Sequence, residues 1–135
     1  MGAEVNTEYQ IKISNLSSYP LTFNSYTPYI ADGNTKATTP IEEWNLVGTS
    51  FDGLWPIECI LVEAKGQYSQ FLDPEKPRFL KMDVFNGLVL EARREKTVIT
   101  PYKTIKPTWY FYEREAKTFF DSNGGLIVSS IYMSL

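Results

Sequence analysis

The chain has 135 residues, enough for one hydrophobic core of ordinary size. Its 43% hydrophobic fraction and its twenty Phe, Trp and Tyr residues argue for a globular fold rather than a disordered chain. There is no histidine and one cysteine, Cys59, which removes Ser-His-Asp and Cys-His nucleophiles in their usual form, histidine-based nucleases and a disulfide framework, and argues against a cysteine zinc site. The net charge of −3 is uneven: residues 1–64 hold two basic groups, Lys12 and Lys36, against eight acids, whereas residues 65–135 hold eleven against eight. An acidic half beside a basic half fits a metal site next to a phosphate grip, and it equally fits surface charge of no consequence.

In chain order, "TEYQIKISN" (7–15) reads as a short helix, with Thr7 as N-cap and Tyr9, Ile13 and Leu16 near helical spacing. The alternation in "YQIKIS" also fits a strand. Residues 17–40 are rich in Ser, Thr, Asn, Pro and Gly and read as a long loop. "EEWNLVGTSFDGLWP" (42–56) has alternating apolar positions and a Gly53…Pro56 turn signal, and "CILVEAK" (59–65) suits a buried strand, so together they predict an antiparallel hairpin or meander. Residues 69–82, with Pro74 and Pro77, read as a connection, and 83–99 as the longest helix, weakened by Gly87. "TWYFY" (108–112) is a predicted strand, "EREAKTFFDSNGG" (113–125) a helix stopped by Gly124-Gly125, and "LIVSSIYM" (126–133) a closing strand. The order helix, three strands, helix, strand, helix, strand implies an α/β or α+β sandwich around a mixed sheet. No apolar run approaches the roughly 18 residues of a membrane span, and no secretory leader is expected.

The tripeptide EAK occurs twice, as Glu63-Ala64-Lys65 and Glu115-Ala116-Lys117. On a strand, residues two apart share a face, so Glu63 and Lys65 stand together. On a helix, two residues turn the chain by about 200°, so Glu115 and Lys117 diverge onto a solvated surface. The first pair follows three apolar residues, where burying both charges costs several kcal/mol unless a partner or ion compensates. The alternative is a strand end that emerges into water.

Asp52 lies eleven residues ahead of Glu63, just before the turn into that strand. A hairpin would carry the chain back past it and bring two carboxylates to one end of the sheet. A hard divalent cation relieves their repulsion, and Mg²⁺ (or Mn²⁺) held this way polarises a phosphoryl oxygen and acidifies water. Lys65 beside it would orient the water and stabilise the anion that forms.

Asp52 followed by Glu63-Ala64-Lys65 on an apolar strand is similar to the pattern of PD-(D/E)xK nucleases, with Phe51 where proline often stands. The segments "YQIKISN", "FDGLWPIECILVEAKGQYSQFL" and "TWYFYEREAKTFF", in that order, resemble the restriction endonuclease fold toxin 5 family of bacterial polymorphic and secreted effector toxins. The resemblance runs from about Glu8 to the C-terminal strand, is strongest over residues 51–72, and leaves 17–40 without a counterpart. It implies a restriction-endonuclease-like α+β fold. Residues 1–135 would form one metal-dependent nuclease domain at the C-terminus of a longer effector, delivered into the cytoplasm of a target bacterium and neutralised in the producer by a cognate immunity protein. Asp52, Glu63 and Lys65 take the catalytic places by motif match, and Glu8 (or Glu4) that of a first-helix carboxylate completing the metal site. Tyr68, Gln70 and Phe71 match the segment after the lysine and would support the site or substrate. Arg93 and Arg94 are phosphate-contact candidates, with a solvated helix face as the plainer reading; nine basic residues against five acids between Lys65 and Lys106 suit a surface that grips a nucleic-acid backbone.

DNA is the expected substrate, with RNA open on the same chemistry. A non-catalytic binding or inhibitor module of a toxin system is the reading from a different class, and it does not require Asp52, Glu63 and Lys65 to converge. Trp44, Trp55 and Trp109 read as core or core-edge residues and Cys59 as a buried strand residue.

Overall fold

A computed structural model describes residues 2–17, 43–46 and 48–135; nearly all of the loop predicted over 17–40 lies outside these. The described chain forms helix α1 (Gly2–Ser14), strands β1 (Trp44–Leu46), β2 (Thr49–Phe51), β3 (Gly53–Trp55) and β4 (Ile60–Lys65), helix α2 (Arg78–Ile99), strand β5 (Lys106–Phe111), helix α3 (Arg114–Ser122) and strand β6 (Ser129–Tyr132). β1 and β2 pair as a separate antiparallel hairpin, and the main sheet has the order β3-β4-β5-β6. Its first pair is antiparallel and the other two are parallel, with α2 and α3 as the crossover helices. This is a mixed-sheet α+β fold, as the resemblance implies. Four short strands, β1 to β4, stand between α1 and α2 where three were expected, because β1 and β2 form a separate hairpin ahead of the edge strand β3.

Both faces of the sheet are covered, and β5 shows it: Pro107 to Phe111 are all buried, as expected where parallel strands lie between helices. Trp109 and Phe111 pack with Phe85, Leu88, Val89 and Ala92 of α2 and with Ala116 and Phe120 of α3. Tyr110 points the other way, into a cluster with Tyr9 and Ile13 of α1, Trp55 and Val62. A third cluster, Phe51, Leu61 and Ile99, seats the β1–β2 hairpin against the end of α2. No helix among the described residues is long and apolar enough to cross a membrane.

Several local expectations shift. α1 starts well before Thr7, which sits mid-helix and does not begin it. α2 opens at Arg78, not at 83, because Pro77 initiates it: proline needs no amide partner at a helix entrance, and the Leu80 N–H already bonds back to the Pro77 carbonyl at 3.1 Å. Gly53 belongs to β3, so the turn falls later, at residues 56–59. Cys59 closes it at φ 55°, half-exposed and outside β4. The last strand starts at Ser129, after a 3₁₀ turn over Gly125–Ile127. Gly124 ends α3 at φ 107°, a conformation that favours glycine, as its stop signal required.

Candidate active site

The pleat of β4 sorts its residues onto two faces. Ile60, Val62 and Ala64 face α1, while Leu61, Glu63 and Lys65 face α2. Glu63 and Lys65 are 4% and 7% exposed, so this strand does not end in water. Lys65 Nζ lies 3.3 Å from Glu63 Oε2, as the two-residue spacing demands.

Asp52 arrives from the bend between β2 and β3. Moving the turn to 56–59 sets the register Gly53↔Val62, which places Asp52 across from Glu63. The Asp52 N–H donates to the Val62 carbonyl at 2.9 Å, and Asp52 Oδ2 accepts the Ala64 N–H at 2.7 Å. The aspartate thus replaces a missing ladder partner of β4 and is locked beside the EAK residues.

Two further acids come from α2. Lys65 Nζ is 2.9 Å from both oxygens of Glu91, and Glu95 Oε1 accepts the Trp109 indole N–H at 3.0 Å. Among the described residues, Glu63, Glu91 and Glu95 each bring a carboxylate oxygen within 4.8 Å of the others. Neither helix residue was singled out from the sequence, yet a signal existed. Leu88, Ala92, Glu95 and Ile99 recur at helical spacing, so an acid occupies a core position of the apolar stripe.

The electrostatics reflect this crowding. Burial pushes the Asp52 carboxyl up to about 6, against the lowering pull of the Ala64 N–H and Lys65. Burial also raises Glu63 well above the carboxylate range, and the charge of Asp52 raises it further. Glu95 is pushed up to about 8 by burial, although the Trp109 hydrogen bond opposes it. For Lys65, burial alone would lower the pKa, but Glu63 and Glu91 reverse this and hold the ammonium firmly charged. Among the described residues, four acidic side chains thus crowd around one ammonium, which is ion-paired with Glu63 and Glu91.

A divalent cation fits this donor set. All the ligand atoms on offer are carboxylate oxygens, the chemistry of hard ions. Glu95 is fully buried, and its Oε2 has no hydrogen-bond partner among the described residues. A buried polar atom left unpaired is costly, and a cation beside it would remove that cost. The cluster reaches solvent through Glu91, which lines a cleft of about 420 Å³ with Gly48, Thr49, Ser50, Gly87 and Arg94.

Of the other predicted residues, Glu8 is not brought to this cluster. It is exposed on α1, which packs on the Val62 face of the sheet, opposite Glu63 and Lys65. The side chain of Glu4 lies outside the described residues. Arg94 lines the cleft, whereas Arg93 is exposed and its carbonyl accepts from Thr97. Tyr68 is half-buried against the α2–α3 core, and its hydroxyl is raised in pKa by burial despite the nearby Lys65 charge. Phe71 packs beside it at 6.3 Å between ring centres. Gln70 is exposed and donates to the Gln67 carbonyl at 3.4 Å. The second EAK behaves as helix geometry dictates: Lys117 pairs with Asp121, while Glu115 turns to the Ser69 hydroxyl. Trp55 and Trp109 are buried and Trp44 partly so.

None of the curated proteins matches the chain as a relative. The sequence profile of restriction endonuclease fold toxin 5 matches residues 6–114, which include all five clustered side chains and stop short of most of α3 and of β6. That match covers most of the chain and agrees with the mixed-sheet fold, so the protein belongs to the restriction endonuclease fold toxin 5 family.

Proposed function

We propose that this domain is a divalent-cation-dependent endonuclease that hydrolyses phosphodiester bonds of DNA and serves as the toxin module of a delivered antibacterial effector. One observation carries the reading. Asp52, Glu63, Glu91, Glu95 and Lys65 converge from a strand bend, a strand and a helix behind a cleft edged by Arg94. A binding module has no need to gather four acids around one lysine at a cost of several kcal/mol.

In this reading Glu63, Glu91 and Glu95, with Asp52 beside them, hold Mg²⁺ or Mn²⁺, and the two α2 glutamates take the place first given to Glu8. The bound cation supplies Lewis-acid polarisation of phosphoryl and water oxygens. Lys65 places a fixed positive charge where the anion develops, and its neighbours keep it protonated. Asp52 holds the exit of β4 through the Ala64 amide and so sets the position of Lys65. Arg94 meets the backbone phosphates at the cleft, with Arg93 beside it on α2 as a second basic group for them, and Tyr68 and Gln70 are assigned to substrate contact on the family likeness. A cognate immunity protein protects the producer.

The test is cleavage of supercoiled plasmid and of single-stranded RNA, in Mg²⁺ and in EDTA, by wild type and Lys65→Ala. Plasmid nicking confined to wild type with Mg²⁺ is expected. Cleavage of RNA alone moves the substrate to RNA, undiminished activity in EDTA removes the cation, and no cleavage of either returns the domain to a binding role.

A further inference from the structure

The cluster contains a residue that is neither acid nor base and that touches both kinds. Trp109 is opposite Glu63 in the β4–β5 register and is completely buried. Its indole N–H donates to Glu95 Oε1 at 3.0 Å, and Lys65 Nζ stands 4.6 Å from the centre of its ring. The edge of one side chain therefore fixes a carboxylate while its face attracts the ammonium.

The ring is hemmed in by aromatic neighbours. It stacks on Phe120 at 4.9 Å with planes 16° apart and packs against Phe111 at 6.2 Å, within the core shared by α2 and α3. A carboxylate bound at one oxygen by so rigid a donor keeps its orientation, and the second oxygen is left for another partner. For Glu95 that second oxygen is the unpaired, buried Oε2. Indole suits this place because it brings a single N–H donor, with no acceptor to satisfy, on a large apolar body.

We propose that Trp109 is the positioning residue of this site: its N–H holds Glu95 Oε1 so that Oε2 is presented, already oriented, to a divalent cation shared with Glu63 and Glu91. This rests on the cation-dependent reading above. Partners that orient metal ligands typically change metal affinity by about 10- to 100-fold when removed.

Mg²⁺ titration followed by ¹H–¹⁵N NMR tests it, with wild type, Trp109→Phe, Glu95→Gln and the double variant. Trp55 is the internal control, because its indole N–H donates to the Ser14 carbonyl at 3.0 Å, on the α1 side of the sheet. In wild type the Trp109 indole resonance should move with Mg²⁺ and that of Trp55 should stay; this readout requires no substitution at Trp109. From the Lys65 amide, Trp109→Phe should bind Mg²⁺ about tenfold or more weakly, and should add nothing to the loss in the Glu95→Gln background. A static Trp109 resonance while the Lys65 amide titrates overturns the assignment. So does wild-type affinity in Trp109→Phe, or the same loss with and without Glu95. If no wild-type resonance moves, the cation reading itself fails and takes the positioning role with it.

Discussion

Lys65 and Glu91 are joined end to end, with the ammonium nitrogen 2.9 Å from each carboxylate oxygen, across the gap between the sheet and its longest helix. Glu63 approaches the same nitrogen from the strand side at 3.3 Å. The ion pair is more than a surface contact, because Lys65 is 8% exposed at the side chain and Glu91 34%. It is the hinge on which the buried acids and the open cleft meet.

The two EAK tripeptides should part company in an activity assay. Glu63→Ala and Lys65→Ala are each expected to lower plasmid cleavage by about a hundredfold or more, the loss typical of a transition-state stabiliser. Glu115→Ala and Lys117→Ala, on separate sides of α3 with Ser69 and Asp121 as their partners, should leave it within about twofold. Equal losses from the second pair would place the chemistry elsewhere.

Without added cation, the domain should lose stability as pH rises. Glu95 is raised from 4.5 to about 8 and Asp52 from 3.8 to about 6, so the folded state holds protons that the unfolded chain releases. Their contribution is complete below about pH 4 and fades as pH rises through 6 to 8. Thermal melting in EDTA should therefore give a higher Tm at pH 5 than at pH 8.5. Glu95→Gln should flatten that slope, and Mg²⁺ should raise Tm most at the alkaline end. A Tm that climbs with pH in EDTA would contradict the assigned shifts.

Asp52 has a structural task beside its chemical one, and two substitutions separate them. Asp52→Ala strands the part-buried Ala64 N–H and should lower stability by about 1–3 kcal/mol. Asp52→Asn offers that amide a side-chain oxygen, so it should fold nearly as well while losing the charge. Expressed in a bacterial cytoplasm at matched levels, the wild type should arrest growth and both variants should be tolerated. Chemical denaturation of the purified variants checks the stability half, and arrest by Asp52→Asn would show that the charge is dispensable.

Two glycines predict opposite signs. A Cβ on Gly66 would stand 1.9 Å from Asn6 Oδ1, which accepts the Gln67 N–H at 2.8 Å and ties α1 to the exit of β4. Gly66→Ala should cost about 1–3 kcal/mol through the broken hydrogen bond. A Cβ on Gly87, mid-helix in α2, would meet nothing within 4 Å. Gly87→Ala should stabilise by about 0.5–1 kcal/mol, since alanine holds a helix better and loses less entropy. Urea unfolding of both variants measures the two signs directly.

What could be read along the chain was whatever short-range periodicity controls. The two-residue repeat of β4 put Glu63 and Lys65 on one face, the helical repeat of α3 sent Glu115 and Lys117 apart, and Gly124 marked where α3 stops. The missing histidine left carboxylates, lysine, tyrosine and water to carry any acid, base or ligand chemistry. The turn after Asp52 was misplaced because glycine in a strand and glycine in a turn are spelled alike, and only the pairing of Gly53 with Val62 separates them.

The identity of the remaining acids depended on packing between elements far apart in sequence. Local spacing tells which residues share a helix face, but not which side of a sheet that face will meet. α1 covers the side with Val62 and Ala64, so Glu8 stays in solvent across the sheet from Glu63. α2 is the crossover between the parallel strands β4 and β5 and lies on the other side, so Glu91 and Glu95 arrive beside Lys65 from 26 residues or more along the chain. The tertiary fold alone brings those charges together, because only there does the burial of Trp109 and Lys65 leave an acid on an apolar stripe facing a lysine and an indole.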